Sequence, residues 1–411
     1  MKKRTFTLFV IASIVCLSQA QETFTIEVEN PLKIDRYDEP VVLPLSRGIR
    51  SAFVEKNGKE IPCQLDDLNR DGQYDELCFL TDISARSKQQ VTVKLFTEGT
   101  PRTYTPRTYA SLILRNSKVK EKNKHDIYLR ELTLENGSDI YPTIHQHGVV
   151  METELTAFRI YFDHRQTIDL YGKYHKQLEL EKTQFYPDAQ QLAEGYGDDV
   201  LWVGNTFGGG CLRGWNGTEP TMLRDVDHRT QRIVAQGPLR TIVEVVDEGW
   251  AVNSDEPKAG TERLTMTSRY TMYAGHRDCK VNVSFDDRLK PEQLFSTGII
   301  NVKNSTELND GKGLRGCWGK DWTVAEKDSA GHVRETVGLG VYVPEQFRES
   351  EIASTKENYG FVVKPTDGNI IFHLAFASDK EDFGFHSANE WFNFLKTWKR
   401  EIESPLKVVR K

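Results

Sequence analysis

The sequence has no excess of positive charge and, after its first twenty residues, no long apolar run. Its 60 Asp and Glu outnumber its 54 Lys and Arg, and the formal net charge is −6. A net-negative surface disfavours nucleic acid and anionic membranes as partners, although a local basic cleft can still bind an anionic substrate. No later segment approaches the roughly 20 apolar residues that a helix needs to cross a bilayer, so we expect no membrane span.

Familiar catalytic signatures are missing as well. The sequence contains no Gly-x-Ser-x-Gly, His-Glu-x-x-His or Cys-x-x-Cys motif. Its glycine-rich stretch at 204–210 is not followed by Gly-Lys-Ser/Thr, so it does not match a phosphate-binding loop. No single motif therefore identifies a reaction, and candidate sites have to be found in clusters of polar residues.

The first twenty residues have the pattern of a cleavable secretory signal peptide. A basic start at 2–4 precedes an apolar run at 6–17, and residues 18–20 form a small-x-small cleavage signal. We expect cleavage near Ala20 and a mature protein that is periplasmic or secreted. An uncleaved anchor is one alternative. A lipoprotein modified at Cys16 is another, although the residue before that cysteine is not small.

Cysteine is scarce: six occur, and one of them, Cys16, lies in the signal segment. The remaining five are an odd number and cannot all pair with one another. Cys63 and Cys78 flank one loop, which makes them the most plausible disulfide in an oxidising compartment. The other three have no metal-ligand spacing and are expected to be buried small residues: Cys211, Cys279 and Cys317.

Apolar and polar residues alternate through most of the chain after the signal, which predicts half-buried strands. The clearest segments are 24–28, 91–95, 158–162, 264–272, 281–285, 339–343 and 370–376. We predict a mainly β protein. A small N-terminal Ig-like β-sandwich is expected over residues 21–100, and a large antiparallel β-supersandwich over residues 101–411, with a short Pro-containing joint between them.

One helix is predicted at the C-terminal end of the large β-domain. Ser387 and Glu390 have the spacing of a capping box, and large apolar residues then recur at helical spacing up to Ile402. The helix should end before Pro405 and dock its apolar face on the sheets. Its two tryptophans are more plausible as core anchors than as a sugar platform.

An acidic loop in the N-terminal part resembles a calcium site. Oxygen-bearing side chains alternate there, with a glycine for the turn: Asp67, Asn69, Asp71, Gln73 and Asp75. Calcium prefers several converging oxygen ligands, and this spacing supplies them from one turn. The twelfth position holds Cys78 rather than glutamate, so the loop is not an EF-hand. A structural calcium ion and a plain polar hairpin turn both remain open.

Two histidines, His145 and His147, stand two residues apart. On a strand they would point to the same side, which suits acid/base catalysis, a metal pair or a sugar contact. A metal site would need further ligands from elsewhere in the chain. Two histidines that are merely exposed or hydrogen-bonded are the alternative.

The segment that follows carries charged residues on one predicted strand face. Alternation buries the apolar side chains of 158–162 and places Arg159, Tyr161, Asp163 and Arg165 opposite them, with Lys173 farther along. Arginine or lysine would bind a sugar carboxylate, tyrosine would stack or donate a proton, and aspartate would accept from hydroxyls. A solvated face with salt bridges is the alternative.

A fourth cluster surrounds the glycine-rich stretch. Asp198 and Asp199 supply carboxylates, while Trp202 and Trp215 supply aromatic faces of the kind that bind sugars. A paired-carboxylate glycosidase is one interpretation.

From about residue 30 to its end the chain resembles the domain-of-unknown-function 4861 family of secreted bacterial proteins. The resemblance is carried by residues 62–64, 71–77, 158–163, 169–173 and 197–204. It implies a galactose-mutarotase-like supersandwich and a setting beside pectin- and uronide-degrading enzymes. It supplies no catalytic residues that can be carried over.

Together these features predict a secreted carbohydrate-active protein, a lyase or hydrolase acting on uronic-acid-containing, pectin-like oligosaccharides. In a lyase, Arg159 or Lys173 would neutralise the carboxylate, and a histidine or Tyr161 would move the proton. In a hydrolase, Asp198 or Asp199 would act as acid or base. A non-catalytic glycan-binding protein and a mutarotase- or epimerase-like enzyme are the alternatives.

Overall fold

A computed structural model describes residues 22–411, apart from 137, 139, 253, 255, 257, 259, 287 and 288. The predicted signal peptide therefore lies outside the described residues. The chain is mainly β, as predicted, and has one long helix near its C-terminal end. No helix within the described ranges is long and apolar enough to cross a membrane.

The strands of the first part of the chain are β1 Glu22–Glu29, β2 Arg36–Pro44, β3 Ser51–Lys56, β4 Lys59–Ile61, β5 Cys63–Asp66, β6 Glu76–Ile83, β7 Lys88–Phe96, β8 Thr108–Leu114, β9 Ile127–Leu129, β10 Glu131–Glu135, β11 Gly148–Thr153, β12 Ala157–Tyr161, β13 Ile168–Gly172 and β14 Asp198–Asp199. A 3₁₀ turn, His145–His147, precedes β11. Two short helices, α1 Leu180–Thr183 and α2 Ala189–Ala193, lie between β13 and β14.

The remaining strands are β15 Cys211–Trp215, β16 Pro220–Thr221, β17 His228–Gln236, β18 Arg240–Ala251, β19 Arg263–Tyr273, β20 Asp278–Phe285, β21 Phe295–Ile300, β22 Thr306–Asn309, β23 Leu314–Trp322, β24 Arg334–Tyr342, β25 Arg348–Ile352, β26 Asn358–Val363, β27 Asn369–Ser378 and β28 Lys407–Arg410. Two further 3₁₀ turns are Glu326–Asp328 and Glu345–Phe347. The long helix is α3 Ala388–Glu403.

The N-terminal part forms two small sheets that share one apolar core. One sheet has the order β28-β1-β7-β3-β4 and the other the order β2-β6-β5. Their inward residues include Ile26, Val54, Phe79 and Val93, all fully buried. The last strand of the chain pairs antiparallel with the first, so residues 407–410 lie with this unit although we assigned them to the large domain.

The predicted disulfide between Cys63 and Cys78 is wrong. Both thiols are free and buried. Cys63 is paired with Phe79 across β5 and β6, whereas Cys78 is paired with Gln64. Since neighbouring residues on a strand point to opposite faces, the two cysteine side chains lie on opposite sides of the sheet. Burial also raises the pKa of the Cys63 thiol to about 11, which keeps it protonated.

Three larger sheets build the rest of the molecule. Nine strands follow the order β10-β17-β18-β19-β20-β27-β24-β23-β22, six follow β14-β13-β12-β11-β8-β9, and five follow β16-β15-β21-β26-β25. Their inner faces contribute to one continuous apolar core, with Phe158, Val243, Phe361 and Phe376 among its buried members. The opposite face of the six-stranded sheet carries the polar side chains described below.

Helix α3 begins where the capping box predicts, with the Ser387 side chain accepting from the backbone N–H of Glu390. Its buried residues pack on β23 and β24, where glycines leave room for them. A Cβ atom at Gly340 would lie 2.4 Å from Leu395 of the helix, so only glycine permits this approach. The indole of Trp391 donates to the backbone carbonyl of Leu339 at 3.2 Å. These tryptophans anchor the core, as expected.

Candidate active site

The outer face of the six-stranded sheet carries a row of polar residues. Strand register places Arg159 opposite Asp169, and Tyr171 opposite Asp199. Because side chains alternate along each strand, Arg159, Tyr161, Asp169 and Asp199 share this face, while Phe158 lies on the core side. The segment that contains α1 folds over part of the same face through buried Leu180 and Phe185.

Arg159 organises these side chains into one network. Its guanidinium contacts Asp169 Oδ2 at 2.5 Å and Asp199 Oδ2 at 2.9 Å. It also donates to the hydroxyl oxygens of Tyr186 at 2.6 Å and Tyr161 at 3.0 Å. The Tyr161 hydroxyl in turn donates to Asp169. We call these five residues the Arg159 cluster. The positive charge of Arg159 is shared between two carboxylates, so this arginine is not available to bind a substrate carboxylate by itself.

The two carboxylates of the Arg159 cluster differ in exposure. Both Oδ2 atoms contact the same arginine nitrogen, so they lie no farther apart than the sum of those distances, 5.4 Å. The Asp169 side chain is 2% exposed and that of Asp199 is 21% exposed. Burial, with the neighbouring charge of Asp169, raises the pKa of Asp199 well above its usual range. Asp199 therefore holds a proton more readily than an exposed aspartate does.

The two histidines lie on a tight turn rather than on a strand, contrary to our expectation. Gln146 and His147 both have left-handed backbone angles, with φ of 62° and 61°. Such angles are uncommon for residues other than glycine and cluster at functional sites. At Gly148, which follows, a Cβ would lie 2.0 Å from the Ile160 carbonyl oxygen, so the turn requires glycine there.

The turn directs both imidazoles toward the Arg159 cluster. His147 stacks on Tyr141 with ring centres 4.0 Å apart, and its edge meets Tyr186 at 6.2 Å. His145 contacts the ring of His125 at 4.5 Å and that of Tyr186 at 5.7 Å. Within the described residues, neither His147 Nδ1 nor His145 Nε2 has a hydrogen-bond partner, although both are buried. This part of the molecule therefore has unused polar capacity.

Both histidines are held in the neutral form. Burial and the positive charge of Arg159 lower the pKa of His147 to about 3. Burial and the neighbouring His125 lower the pKa of His145 to about 4. A neutral imidazole has one nitrogen free to accept a proton, but a pKa this far below neutral makes it a weak base until a ligand raises it.

A cleft of about 400 Å³ opens beside the histidine turn. Its lining includes Tyr141, His147, Asp163, His164 and Arg229. It therefore presents an aromatic ring, a neutral base and charges of both signs to a ligand, which is the character expected of a small-molecule site.

Asp163 and Arg165 form an ion pair at the edge of this cleft, with an N–O distance of 2.5 Å. The same guanidinium lies 4.3 Å from the ring centre of Tyr161. Unlike Arg159, Arg165 has only one carboxylate partner among the described residues and is partly exposed. It is therefore the better placed of the two to receive an anionic group.

Lys173 lies apart from the cleft and is fully buried. Its ammonium contacts Glu152 at 2.7 Å and donates to the carbonyls of Thr153 and Gln177. These three bonds use all three of its protons. We therefore leave Lys173 out of the proposed site.

The remaining predicted residues occupy different surroundings. Trp202, three residues after Asp199, is 46% exposed. Asp198 accepts from the backbone N–H of Asp199 at 2.7 Å, and burial raises the pKa of its carboxyl. Trp215 ends β15, which belongs to a different sheet, the one with the order β16-β15-β21-β26-β25.

The acidic loop lies in the N-terminal unit, where its oxygens are used in turns. Asp75 accepts from the N–H groups of Leu68 and Asn69, and Asp67 accepts from Gly72. Asn69 and Asp71 each accept from the backbone two residues ahead. Among the residues that the structure describes, no three His, Cys, Asp or Glu side chains converge to hold a metal. Calcium sites also use amide and carbonyl oxygens, so calcium binding here, which would involve Gln73, stays a prediction.

Four members of this site were not on our sequence-based list: Asp169, Tyr186, Tyr141 and His125. Asp169 could have been found from strand alternation, because a charged residue between apolar neighbours Ile168 and Leu170 must share the face of Arg159 if the strands pair. The other three come from loops whose approach depends on tertiary packing.

The chain belongs to the family described as Domain of unknown function (DUF4861), whose model matches residues 28–408. Two solved structures are similar at 9% identity: an alpha-mannosidase from Enterococcus faecalis V583 and a protein in the Glycosyl Hydrolase Family 38 from Enterococcus faecalis. Their TM-scores are 0.44 and 0.45, and the match covers 95% of this chain but 46% and 48% of theirs. The chain thus spans under half the length of these structures. No curated protein matches the sequence.

Proposed function

We propose that this protein is an exported carbohydrate-active enzyme that cleaves uronic-acid-containing oligosaccharides by β-elimination. The observation that carries the proposal is a neutral His147, half-buried at a polar cleft and directly beside the Arg159 cluster. Elimination from a uronate requires a base for the proton next to the carboxylate, a cation for the carboxylate and an acid for the leaving oxygen.

His147 in the cleft, Arg165 beside it and two members of the Arg159 cluster can be assigned to these roles. His147 takes the proton from the carbon that bears the carboxylate, and the electron pair forms a carbon–carbon double bond as the bond to the glycosidic oxygen breaks. Arg165 pairs with the carboxylate and favours the negative charge that develops next to it. The leaving oxygen takes a proton from Asp199 or Tyr161, and Asp199 is the stronger acid of the two.

Substrate binding would also tune the base. The pKa of His147 is low in the empty site because of burial and the charge of Arg159. A uronate carboxylate in the cleft would bring a negative charge that favours the imidazolium and raises this pKa. A base whose pKa approaches the working pH is a more effective proton acceptor.

Hydrolysis is the second candidate, and one distance favours it. The two carboxylate oxygens of Asp169 and Asp199 are at most 5.4 Å apart, which is shorter than the roughly 6.5–9.5 Å of an inverting glycosidase and leaves a retaining one. The burial of Asp169 argues against it as a nucleophile, since its Oδ2 already accepts from Arg159 and Tyr161.

Incubation with a panel of uronic-acid oligosaccharides separates these reactions. Elimination gives products whose masses add up to that of the substrate, with one unsaturated uronate that absorbs in the ultraviolet. Hydrolysis adds one water and gives no such absorbance. Binding without turnover would favour a non-catalytic glycan-binding protein, and altered sugar stereochemistry without cleavage would favour an epimerase.

Export is a separate part of the proposal and rests on residues 1–20. Sequencing the mature N-terminus from a periplasmic or culture fraction tests it. A chain that starts near Gln21 is expected, and an intact N-terminus in the cytoplasm would contradict it.

A further inference from the structure

In the nine-stranded sheet, an arginine lies on an aromatic ring at the paired ends of two strands. Trp322 at the end of β23 is paired in register with Arg334 at the start of β24. The Arg334 guanidinium lies 4.7 Å from the centre of the Trp322 ring. Arg334 is exposed, and no ion pair involving it occurs among the described residues. Its planar fork of donors is therefore free to bind a carboxylate.

Trp202 joins these two residues. Its backbone N–H donates to the Trp322 carbonyl at 3.1 Å, which fastens the segment after β14 to the end of β23. Its side chain is nevertheless 46% exposed. We call Trp202, Trp322 and Arg334 the Trp202 patch.

The Trp202 patch follows the proposed active site directly along the chain. Trp202 follows Asp199 by three residues, and Asp199 is bonded to Arg159. Beside the histidine turn, Tyr141 is 50% exposed and stacks on His147. Exposed aromatic rings therefore occur next to the proposed base and three residues after the proposed acid.

We propose that the Trp202 patch is a uronate-binding subsite, so that the substrate is an acidic oligosaccharide long enough to extend from the cleft past Asp199. A sugar ring stacks on the exposed indole of Trp202, and its carboxylate pairs with Arg334, which Trp322 holds in place. This inference rests on the proposed function, because it adds a second sugar-binding position to the same site.

Binding of oligogalacturonates of increasing length tests the subsite, measured by calorimetry in a His147→Ala background that prevents turnover. Trp202→Ala should weaken binding of the longer chains by about tenfold and leave the disaccharide unchanged. Arg334→Ala should weaken binding of the free acids by about tenfold but not that of their methyl esters. Tyr37→Ala and Arg47→Ala remove an exposed ring and an exposed cation from the N-terminal unit and serve as matched controls.

The inference is overturned if Trp202→Ala binds the longer chains as tightly as Tyr37→Ala does. It is also overturned if Arg334→Ala weakens acids and esters alike. Turnover of the wild type is measured separately. Turnover that is insensitive to Trp202 would contradict the subsite alone, whereas length-dependent binding through Trp202 without turnover would contradict the lyase. If no oligogalacturonate is bound or turned over, both the subsite and the lyase are contradicted.

Discussion

Two buried ionic clusters occupy the same face of the six-stranded sheet and differ in how completely their polar atoms are bonded. In the first, Lys173 and Glu152 are fully buried 2.7 Å apart. Lys173 uses its three protons, and Glu152 also accepts from the backbone N–H groups of Glu179 and Leu180. This cluster ties the segment that leads into α1 to the sheet and has no capacity left for a ligand.

The Arg159 cluster is built from similar groups but is incomplete. Asp169 Oδ1 has no hydrogen-bond partner within the described residues, and neither has His145 Nε2 in the adjoining histidine turn. Buried polar atoms are bonded in the large majority of cases, and each exception needs a reason. A site that is completed only when a ligand binds is such a reason. We infer that the closed cluster is structural and the open cluster functional.

The largest effect is expected from breaking the closed cluster. Lys173→Met should lower the free energy of unfolding by about 3–5 kcal/mol, because Glu152 is left as an unpaired buried charge. Urea unfolding measures this loss. The double variant Lys173→Met/Glu152→Leu should recover most of it. Lys88→Met, which removes exposed ion pairs with Glu27 and Glu29, should change stability far less. Equal losses in the single and double variants would contradict the assignment.

A substitution of His147 at the proposed active site should lower turnover rather than stability. His147→Ala is expected to lower kcat by about 100-fold or more, because it removes the proposed base. Thermal unfolding of the same protein should change little, since His147 Nδ1 makes no hydrogen bond within the described residues. His228→Ala, on the nine-stranded sheet, is the control. Unchanged kcat in His147→Ala, or equal losses in both, would remove His147 from the mechanism.

The pH dependence distinguishes the empty site from the occupied one. A base is active when deprotonated, so a pKa of about 3 for His147 predicts a kcat/KM without a histidine limb between pH 5 and 8. Bound uronate raises the pKa, so the acid limb of kcat should lie at higher pH than that of kcat/KM. Initial rates across this range measure both. A kcat/KM that halves near pH 6.5, as for an unperturbed histidine, would contradict the burial argument.

The same shift has a consequence for stability. The pKa of His147 in the folded protein lies below the 6.5 of an unperturbed histidine. As the pH falls, this histidine is therefore protonated in the unfolded chain before it is protonated in the folded one. The contribution of His147 to the free energy of unfolding is fully present above pH 6.5 and is lost as the pH falls toward 3. His147→Gln should therefore make the decline of unfolding free energy below pH 6.5 shallower. An unchanged slope in urea titrations would speak against it.

The smallest effect concerns the acidic loop, whose oxygens are already bonded within turns. If calcium binds there, stability rises with the ratio of calcium to its dissociation constant, by about 0.4 kcal/mol when the two are equal. Asp71→Asn keeps a turn acceptor but removes a charge, and should reduce the shift in melting temperature. If neither calcium nor a chelator changes the melting temperature of the wild type, the loop is a polar hairpin turn without calcium.

Strand alternation was sufficient to place Arg159 and Tyr161 on one face and Phe158 on the other, because a period of two assigns each residue to a side. It could not show that Arg159 would be bonded to two carboxylates. The histidine turn was missed for a related reason: a two-residue spacing suggests a strand, and only the close approach of Gly148 to Ile160 requires the left-handed turn.

The sequence by itself determined the mainly β class, the capped C-terminal helix and the family, because these depend on local periodicity, a capping motif and patterns along the chain. Only the tertiary structure decided which buried ionic cluster has all of its polar atoms bonded and which one does not. Lys173 and Arg159 look alike in the sequence, and only the chain segments that pack over each one give the first a full set of partners and leave the second beside a cleft. The same packing decided that Cys63 and Cys78 lie on opposite faces of one sheet.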